Sequence, residues 1–239
     1  MIRSGWIRLV AVVALLGLLQ ACATTTGTNP RDPLESVNRK VFLFNDAMDQ
    51  AVVKPVATVY RDVVPSWTRK GVSNFFNNLE DAWSVVNNAV QGRPQQTGES
   101  MARVMVNTTL GLGGLLDLAT SLNLERQTST FGYTLGRWGL SPGPYVVLPV
   151  LGPATMREVV GLPVDWKGSP ISRVPDRTAS YSLKALSLVD LRVVYLGADD
   201  VLAGAALDKY SFTRDSYLQR QRNIFYDGNP PEEEEEPLN

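Results

Sequence analysis

The residue with the clearest chemistry is Cys22, the one cysteine among 239 residues. It follows Ala21, and the chain before it holds Arg3, Arg8 and an apolar run over residues 9–19. A basic start, a short apolar region and a small residue before the cut form a secretory signal. A cysteine directly after the cut is typical of a bacterial lipoprotein signal. Its thiol would carry the lipid, so Cys22 predicts a membrane-anchored protein.

Two other interpretations of this N-terminal segment exist. A transmembrane helix is disfavoured, because the run over residues 9–19 is shorter than the roughly 20 residues that cross a hydrocarbon core. An ordinary secretory signal followed by a buried free cysteine stays open. Ala23 stands after Cys22, where an Asp would resemble an inner-membrane retention signal. The expected location is therefore the outer membrane of a Gram-negative bacterium, lipid-anchored and facing the periplasm.

The composition excludes several functions. The chain has no histidine, which removes Ser-His-Asp triads, Cys-His dyads and His-ligated metal sites. A single cysteine leaves no intrachain disulfide. With 23 basic and 24 acidic residues, no field for binding nucleic acid is implied. We expect no enzyme, no cofactor and no metal.

The chain divides into four predicted segments. Residues 1–21 are the signal peptide, and the small polar residues 22–31 are a lipidated tether. Residues 32–227 form one domain. Residues 228–239 end in a run of glutamates, and like-charge repulsion predicts a disordered acidic tail.

The first predicted helix covers residues 34–51. Asp32 is expected to cap it, and Pro33 suits its first turn. Apolar residues recur at steps of three and four, which places them on one helix face: Leu34, Val37, Val41, Phe44, Met48 and Ala51.

The rest of the chain predicts a mostly α-helical fold with no sheet pattern. Loops are expected around Pro163, Pro170 and Pro175. The further predicted helices are a short piece between Pro55 and Pro65, then 67–91, 98–110, 115–122, 177–195 and 198–226.

Residues 128–153 are rich in glycine, proline and aromatic residues. One interpretation is a buried β-hairpin or a loop that lines the core. The other is a mobile gate or a wall that lines an apolar path. As a gate the segment would be a flexible hairpin over Thr134 to Tyr145, because glycine gives a hinge its conformational freedom. The candidate hinge residues are Gly132, Gly136, Gly139 and Gly143.

Lys184 is the only charged residue between Arg177 and Asp190. It could contact the phosphate of a lipid headgroup. It could also simply extend its ammonium to a membrane interface. The sequence leaves both readings open.

Several short motifs occur in the order typical of one family. The opening block is Asp32-Pro33-Leu34-Glu35, and the helix that follows carries Asn38, Arg39, Phe42, Phe44 and Asn45. Further matching blocks lie within residues 74–92, 107–117, 131–149 and 214–219. Each block is weak alone, but their order over residues 32–227 resembles the MlaA (VacJ) outer-membrane lipoproteins. Glu158 stands where that family usually has Asp, which keeps the charge.

This resemblance implies a fold and a function. The fold is all-α, a ring-like assembly of amphipathic helices around a central channel, monotopic in the inner leaflet of the outer membrane, with a Gly/Pro-rich hairpin. Its implied function is intermembrane phospholipid transport: mislocalised phospholipid leaves the outer leaflet through the channel and passes to a periplasmic carrier, which maintains lipid asymmetry. The implied partners are phospholipid, an outer-membrane porin trimer and an MlaC-like periplasmic lipid-carrier protein. An anchored scaffold bound to porins, without transport, is the alternative.

The lipoprotein prediction is tested by Cys22→Ala. Without the lipid we expect the protein to be missorted in cells, while amphipathic helices still bind it to phospholipid vesicles. Fractionation of cells and vesicle flotation of the purified protein measure the two effects. A fully water-soluble monomer in the absence of detergent would contradict membrane binding by the domain itself.

Overall fold

A computed structural model describes residues 29–197 and 208–232 of this chain. The predicted signal peptide, Cys22 and residues 233–239 lie outside the described residues. The first part of the predicted helix over residues 198–226 lies outside them as well.

The described chain is mostly helical, as predicted from the sequence. One β-hairpin interrupts the helices, with strands β1 (Tyr145–Leu148) and β2 (Gly152–Thr155) paired antiparallel. The helices, in chain order, are α1 (Glu35–Met48), α2 (Lys54–Val63), α3 (Ser66–Val90), α4 (Pro94–Thr109), α5 (Leu118–Ser121), α6 (Phe131–Arg137), α7 (Met156–Gly168), α8 (Arg177–Tyr195) and α9 (Lys209–Phe225). A π-helical segment, Asp49–Val53, joins α1 to α2, and a 3₁₀ turn, Pro170–Arg173, follows α7.

The predicted bounds of α3 and α8 are confirmed closely. The loop expected around Pro163 is wrong, because Pro163 lies inside α7. A capping box starts this helix: the Glu158 carboxylate accepts from the Thr155 amide at 2.7 Å, and the Glu158 amide donates to Thr155 Oγ1 at 3.4 Å. This reciprocal cap satisfies two amides at the helix start.

Asp32 does not cap α1 as predicted. The helix begins at Glu35, and its N-cap residue Leu34 makes no side-chain capping bond. The Asp32 side chain is instead fully buried and bonded to residues far along the chain. Asp32 therefore forms tertiary contacts instead of capping the helix.

The described interior is mainly polar. A small apolar core of Tyr145, Val147 and Tyr210 lies between α1, β1 and α9. The other buried apolar residues are few, whereas buried polar or charged residues occur throughout the helices. The polar set is Asp32, Asn38, Asn78, Asp81, Ser84, Asn87, Asn88, Ser100, Arg103, Asn107, Ser129, Thr134, Thr155, Arg157, Ser180, Asp190 and Arg214.

Many large apolar side chains lie on the outside of the described domain. The stripe predicted on α1 is exposed at Val37, Phe44 and Met48. Exposed aromatic residues extend over the other helices, and Trp67 is 77% exposed. Apolar surface on this scale marks contact with lipid or with a partner protein. Within the described ranges no helix has both the length and the apolar character to cross a membrane.

The polar interior is built on α3. Asn78, Asp81, Ser84 and Asn87 follow at steps of three residues, and each step falls about 60° short of a full turn. Together with Asn88 they therefore form a broad polar face that covers about half of the helix surface. All are buried, and α3 packs mainly against α4. These polar residues are visible in the sequence, but the sequence does not show that they are buried.

Arg103 of α4 is the centre of a buried charge network. Its side chain is only 2% exposed. It donates to Asp81 at 3.2 Å and to Asp117 at 3.2 Å, and it also contacts the carbonyl of Leu124. Arg126 donates to the second oxygen of Asp81 at 2.8 Å. Each buried charge therefore has an opposite charge and further hydrogen bonds, which is the condition for tolerating charges away from water.

Asp117 also caps α5, where it accepts from the Thr120 amide. Burial alone raises the pKa of this carboxyl group. Hydrogen bonds from Thr120 and Asn107, together with the charge of Arg103, outweigh burial and lower the pKa to about 2. Since the folded-state pKa lies below its usual value, the ionised group stabilises the fold at neutral pH, and this contribution is lost as the pH falls from about 4 to about 2.

We therefore predict that Asp117→Asn lowers the free energy of unfolding by about 2 kcal/mol at neutral pH and by far less near pH 2. Urea unfolding in detergent at the two pH values measures the difference. Asp62→Asn is the control, because Asp62 pairs with Arg61 on the exposed surface, where such pairs contribute little. An equal loss at both pH values would contradict the ionic role of Asp117.

Candidate functional site

The glycine- and proline-rich segment folds as a helix, a loop and a hairpin. Helix α6 precedes a loop over residues 138–144, and the β-hairpin covers residues 145–155. The hairpin expected over residues 134–145 is therefore misplaced, since its first part belongs to α6. In β1, Tyr145 and Val147 point into the apolar core. The segment is the candidate functional site because a gate is one of the two interpretations of its sequence, and because the structure makes it the one strand pair among the described residues.

The four candidate hinge glycines fall into two classes. Gly132 and Gly136 lie in α6, where neither has a positive φ. A Cβ on Gly132 would lie 3.0 Å from the Glu158 side chain, and one on Gly136 would lie 2.6 Å from the guanidinium of Arg157. These two glycines allow close packing, which is a correction to their assignment as hinges.

Gly139 and Gly143 lie in the loop, with φ of +97° and +67°. Other residues rarely adopt such values, so both positions require glycine for their backbone conformation. A Cβ on Gly139 would meet no atom within 4 Å. The candidate hinge therefore narrows to this loop.

Two asparagines of α1 hold β1 through their side-chain amides. Asn38 donates to the Tyr145 carbonyl at 3.0 Å and accepts from the Val147 amide at 2.9 Å. Asn45 donates to the Leu148 carbonyl at 2.9 Å and accepts from the Val150 amide at 2.8 Å. Each amide thus pairs with the strand as a backbone peptide would. The family motif predicted these residues without revealing this contact.

The geometry of the pairing follows from the repeats of helix and strand. Asn38 and Asn45 are seven residues apart, which corresponds to about 10.5 Å along a helix. The backbone groups that they bind are shifted by three residues, or about 10 Å along a strand. The spacing of the two asparagines along the helix therefore equals the spacing of the backbone groups that they bind, and β1 is held along its whole length.

Asp32 links this contact to α9. One carboxylate oxygen accepts from Asn38 at 2.8 Å, and the other accepts from the Tyr210 hydroxyl at 2.5 Å. Arg214 adds an ion pair at 3.3 Å. Burial and the hydrogen bond to Asp32 raise the pKa of Tyr210, which therefore stays a protonated donor. The residue predicted as a helix cap is the buried junction of α1, β1 and α9.

The other motif residues of α1 have different surroundings. Arg39 pairs with Glu35 at 2.8 Å and with Asp208 at 2.6 Å, and its guanidinium lies over the Tyr210 ring at 4.4 Å. Phe42 contacts the edge of the Tyr210 ring with centroids 5.6 Å apart. Phe44 is 51% exposed on the outer face. The motif therefore combines hairpin binding, α9 docking and outward apolar surface.

Helix α6 contacts the polar face of α3. Gln91 donates to Ser129 at 2.8 Å and to Thr134 at 2.9 Å, and Thr134 donates to Asn87 at 2.9 Å. The side-chain amide oxygens of Asn78, Asn88 and Gln91 are buried and have no donor among the described residues. Such groups call for water or another polar donor. The interior beside the candidate gate is therefore suited to polar groups.

An apolar groove of about 340 Å³ adjoins the hinge loop. It lies where this loop meets the start of the described chain and α9. Its walls are Pro30, Arg31, Pro33, Pro142, Gly143, Pro144 and Leu218. The loop thus borders an apolar groove on one side. At its other end it continues from α6, which binds the polar face of α3.

Lys184 lies exposed on α8, apart from the contacts described above. Its ammonium group is 6.0 Å from the centre of the Tyr181 ring, which is itself 68% exposed. A cation over an exposed aromatic ring suits an interface between water and lipid. Headgroup contact and extension to the interface both stay predictions.

Comparison with known proteins identifies one matching family profile and several similar proteins. The sequence profile described as MlaA lipoprotein matches residues 30–224. The intermembrane phospholipid transport system lipoprotein MlaA of Escherichia coli K12 is 36% identical over 223 residues, spanning 90% of this chain and 87% of that protein. The lipoprotein of the same description from Haemophilus influenzae is 31% identical over 240 residues, spanning 95% and 92%.

A solved structure agrees with the sequence comparison. It comes from work on the structural basis for maintenance of bacterial outer membrane lipid asymmetry. It matches this fold with a TM-score of 0.71 and 35% sequence identity, covering 83% of this chain and 99% of that one. The family profile, the relatives and the solved structure therefore all agree with the resemblance seen in the sequence motifs, and this chain belongs to the MlaA lipoprotein family.

Proposed function

We propose that this protein transports phospholipid between membranes. It removes mislocalised phospholipid from the outer leaflet of the outer membrane and passes it toward the periplasm, which maintains lipid asymmetry. The observation that carries the proposal is the inverted polarity of the domain, with buried polar residues and exposed apolar ones. The names of the family relatives support the same function.

The inverted polarity suits the physical task. A phospholipid headgroup that crosses an apolar layer without polar contacts loses several kcal/mol of solvation. A ring of amphipathic helices with its polar faces inward provides a central channel for the headgroup, and its apolar faces contact acyl chains. The buried polar side chains of α3 bond to the neighbouring helix, for example Asn88 to Ser100 and Asp81 to Arg103, and such contacts keep the polar faces of the ring inward.

The proposal includes a location and partners. Cys22 carries the lipid, residues 22–31 are the tether, and the helical domain lies in the inner leaflet of the outer membrane without spanning it. A porin trimer associates with the domain, and an MlaC-like soluble carrier receives the lipid in the periplasm. Residues 132–149, with Gly139 and Gly143 in their loop, regulate passage.

An anchored scaffold that binds porins without transport is the second candidate. Its support is the same exposed apolar surface, which would suit a protein partner as well as lipid. The two candidates differ in what happens to surface phospholipid when the protein is absent.

We predict that deletion of this protein increases outer-leaflet phospholipid and that the intact chain restores the wild-type level. Surface-accessible phospholipid, measured by labelling of intact cells, is the readout. A deletion strain with normal asymmetry would support the scaffold and overturn transport.

We predict that Gly139→Ala impairs this restoration. A side chain at φ +97° costs about 1 kcal/mol and restricts the loop, although no neighbouring atom would clash. Surface phospholipid in the complemented deletion strain should rise, at unchanged protein level. Gly98→Ala is the matched control, because Gly98 lies in α4, also with open space around it. Wild-type asymmetry with Gly139→Ala would contradict the gate.

A further inference from the structure

Three arginines are buried among the described residues, and their partners differ. Arg103 and Arg214 each pair with two carboxylates at 3.3 Å or less. Arg157 of α7 is 8% exposed, and it forms no ion pair within the part of the chain that the structure describes. A buried charge is costly unless an opposite charge and hydrogen bonds compensate it. Arg157 is therefore the buried arginine whose charge the fold balances least.

The contacts of Arg157 satisfy only part of its guanidinium group. One terminal nitrogen donates to the Leu140 carbonyl at 3.2 Å, and the guanidinium carbon lies 5.0 Å from the centre of the Phe225 ring. The Nε atom is buried and has no acceptor among the described residues. Burial lowers the pKa of Arg157, whereas the hydrogen bond to Asp215 raises the pKa of Arg214. An anion at Arg157 would supply both the missing acceptor and the missing negative charge.

A second guanidinium group lies against the same aromatic ring. Arg137 of α6 is 4.7 Å from the centre of Phe225, and it pairs with Asp227 at 3.2 Å. Attraction to the ring stabilises each cation, but the positive charges of Arg137 and Arg157 repel one another. An anion between them would remove this repulsion.

The carboxylates near the two guanidinium groups are already engaged. Asp227 also pairs with Arg93 at 2.7 Å. Glu158 follows Arg157 in sequence, but its carboxylate belongs to the capping box at the start of α7. Arg93, Arg137 and Arg157 thus face two carboxylates, so net positive charge remains at the C-terminal end of α9.

Exposed apolar residues adjoin the two guanidinium groups. Trp138 follows Arg137 directly and is 59% exposed, and Leu140, whose carbonyl binds Arg157, is 45% exposed. An aromatic residue beside a cation with an apolar stem suits the boundary between acyl chains and headgroups. A phospholipid with its acyl chains on Trp138 and Leu140 would bring its phosphate close to both arginines.

We propose that Arg137 and Arg157 bind a phosphate group, and that a phospholipid headgroup supplies it. A guanidinium group donates two parallel hydrogen bonds to phosphate, which makes arginine well suited to this anion. Arg137 is the more exposed of the two, and Arg157 offers its unpartnered Nε. The inference rests on the proposed transport function and deepens it, because it names residues that hold the charged part of the lipid. Free phosphate has the same chemistry and is the competing source.

The site is tested on the wild-type protein in maltoside micelles, with ¹⁵N-labelled arginine. The Nε–H signal of Arg157, identified by its loss in Arg157→Lys, should shift when dihexanoylphosphatidylglycerol is added. Because acyl chains add apolar contacts, half of the shift should need about tenfold less lipid than inorganic phosphate. The signal of Arg69 should stay unchanged and is the internal control, since its Nε already donates to the Val64 carbonyl at 3.0 Å.

Two results would contradict the proposal. No shift of the Arg157 signal with either probe would overturn the phosphate site and leave water as the partner of Nε. A shift that needs no more inorganic phosphate than lipid would overturn the phospholipid as the source. Both results come from the wild-type chain, so they do not depend on the folding of a variant.

The role in transport is tested in the complemented deletion strain. Arg157→Gln should raise surface phospholipid about twofold or more, because it removes the charge-assisted bond to the headgroup. Arg157→Lys keeps the charge and should restore part of the loss, and Arg69→Gln is the control that should keep the wild-type level. Normal asymmetry with Arg157→Gln would overturn the role in passage. Failure of the proposed function is distinct, because the wild-type chain would then not restore asymmetry although its Arg157 signal responds to lipid.

Discussion

Every polar group taken out of water needs a partner, and this constraint governs the domain because its interior is mainly polar. The buried charges occur as connected sets. Arg103 joins Asp81 and Asp117 across three helices, and Asp32 joins Asn38, Tyr210 and Arg214. A set of this kind is stable only when complete, since removal of one member leaves the others buried and unpaired. The helices are therefore positioned by specific hydrogen bonds more than by general apolar contact.

The same constraint explains the outer surface. Amphipathic helices whose polar faces meet inside must turn their apolar faces outward, as Val37, Phe44 and Trp67 do. In water this arrangement would expose apolar area without compensation. Beside acyl chains it carries no such cost, so the polar interior fits the proposed location at a membrane interface. The proposed transport of a charged headgroup through the domain uses this pattern directly.

The hairpin shows how a polar residue can position a functional element. A two-stranded sheet is only marginally stable alone. Here Asn38 and Asn45 supply the pairing that a third strand would give, because two turns of helix match three residues of strand. The hairpin is thereby fixed to α1.

The sequence by itself determined the helices with clear apolar periodicity and the family, and it predicted a lipoprotein signal at Cys22, because these depend on local order of residues. It predicted α3 and α8 closely and placed the candidate functional segment within residues 128–153. The tertiary structure alone decided the role of Asp32, the division of the four glycines into packing and loop positions, and the helix through Pro163. It also decided which face of each helix lies inside. Periodicity separates two faces, but only the contacts between distant segments, such as Arg103 with Asp117, determine which face is buried.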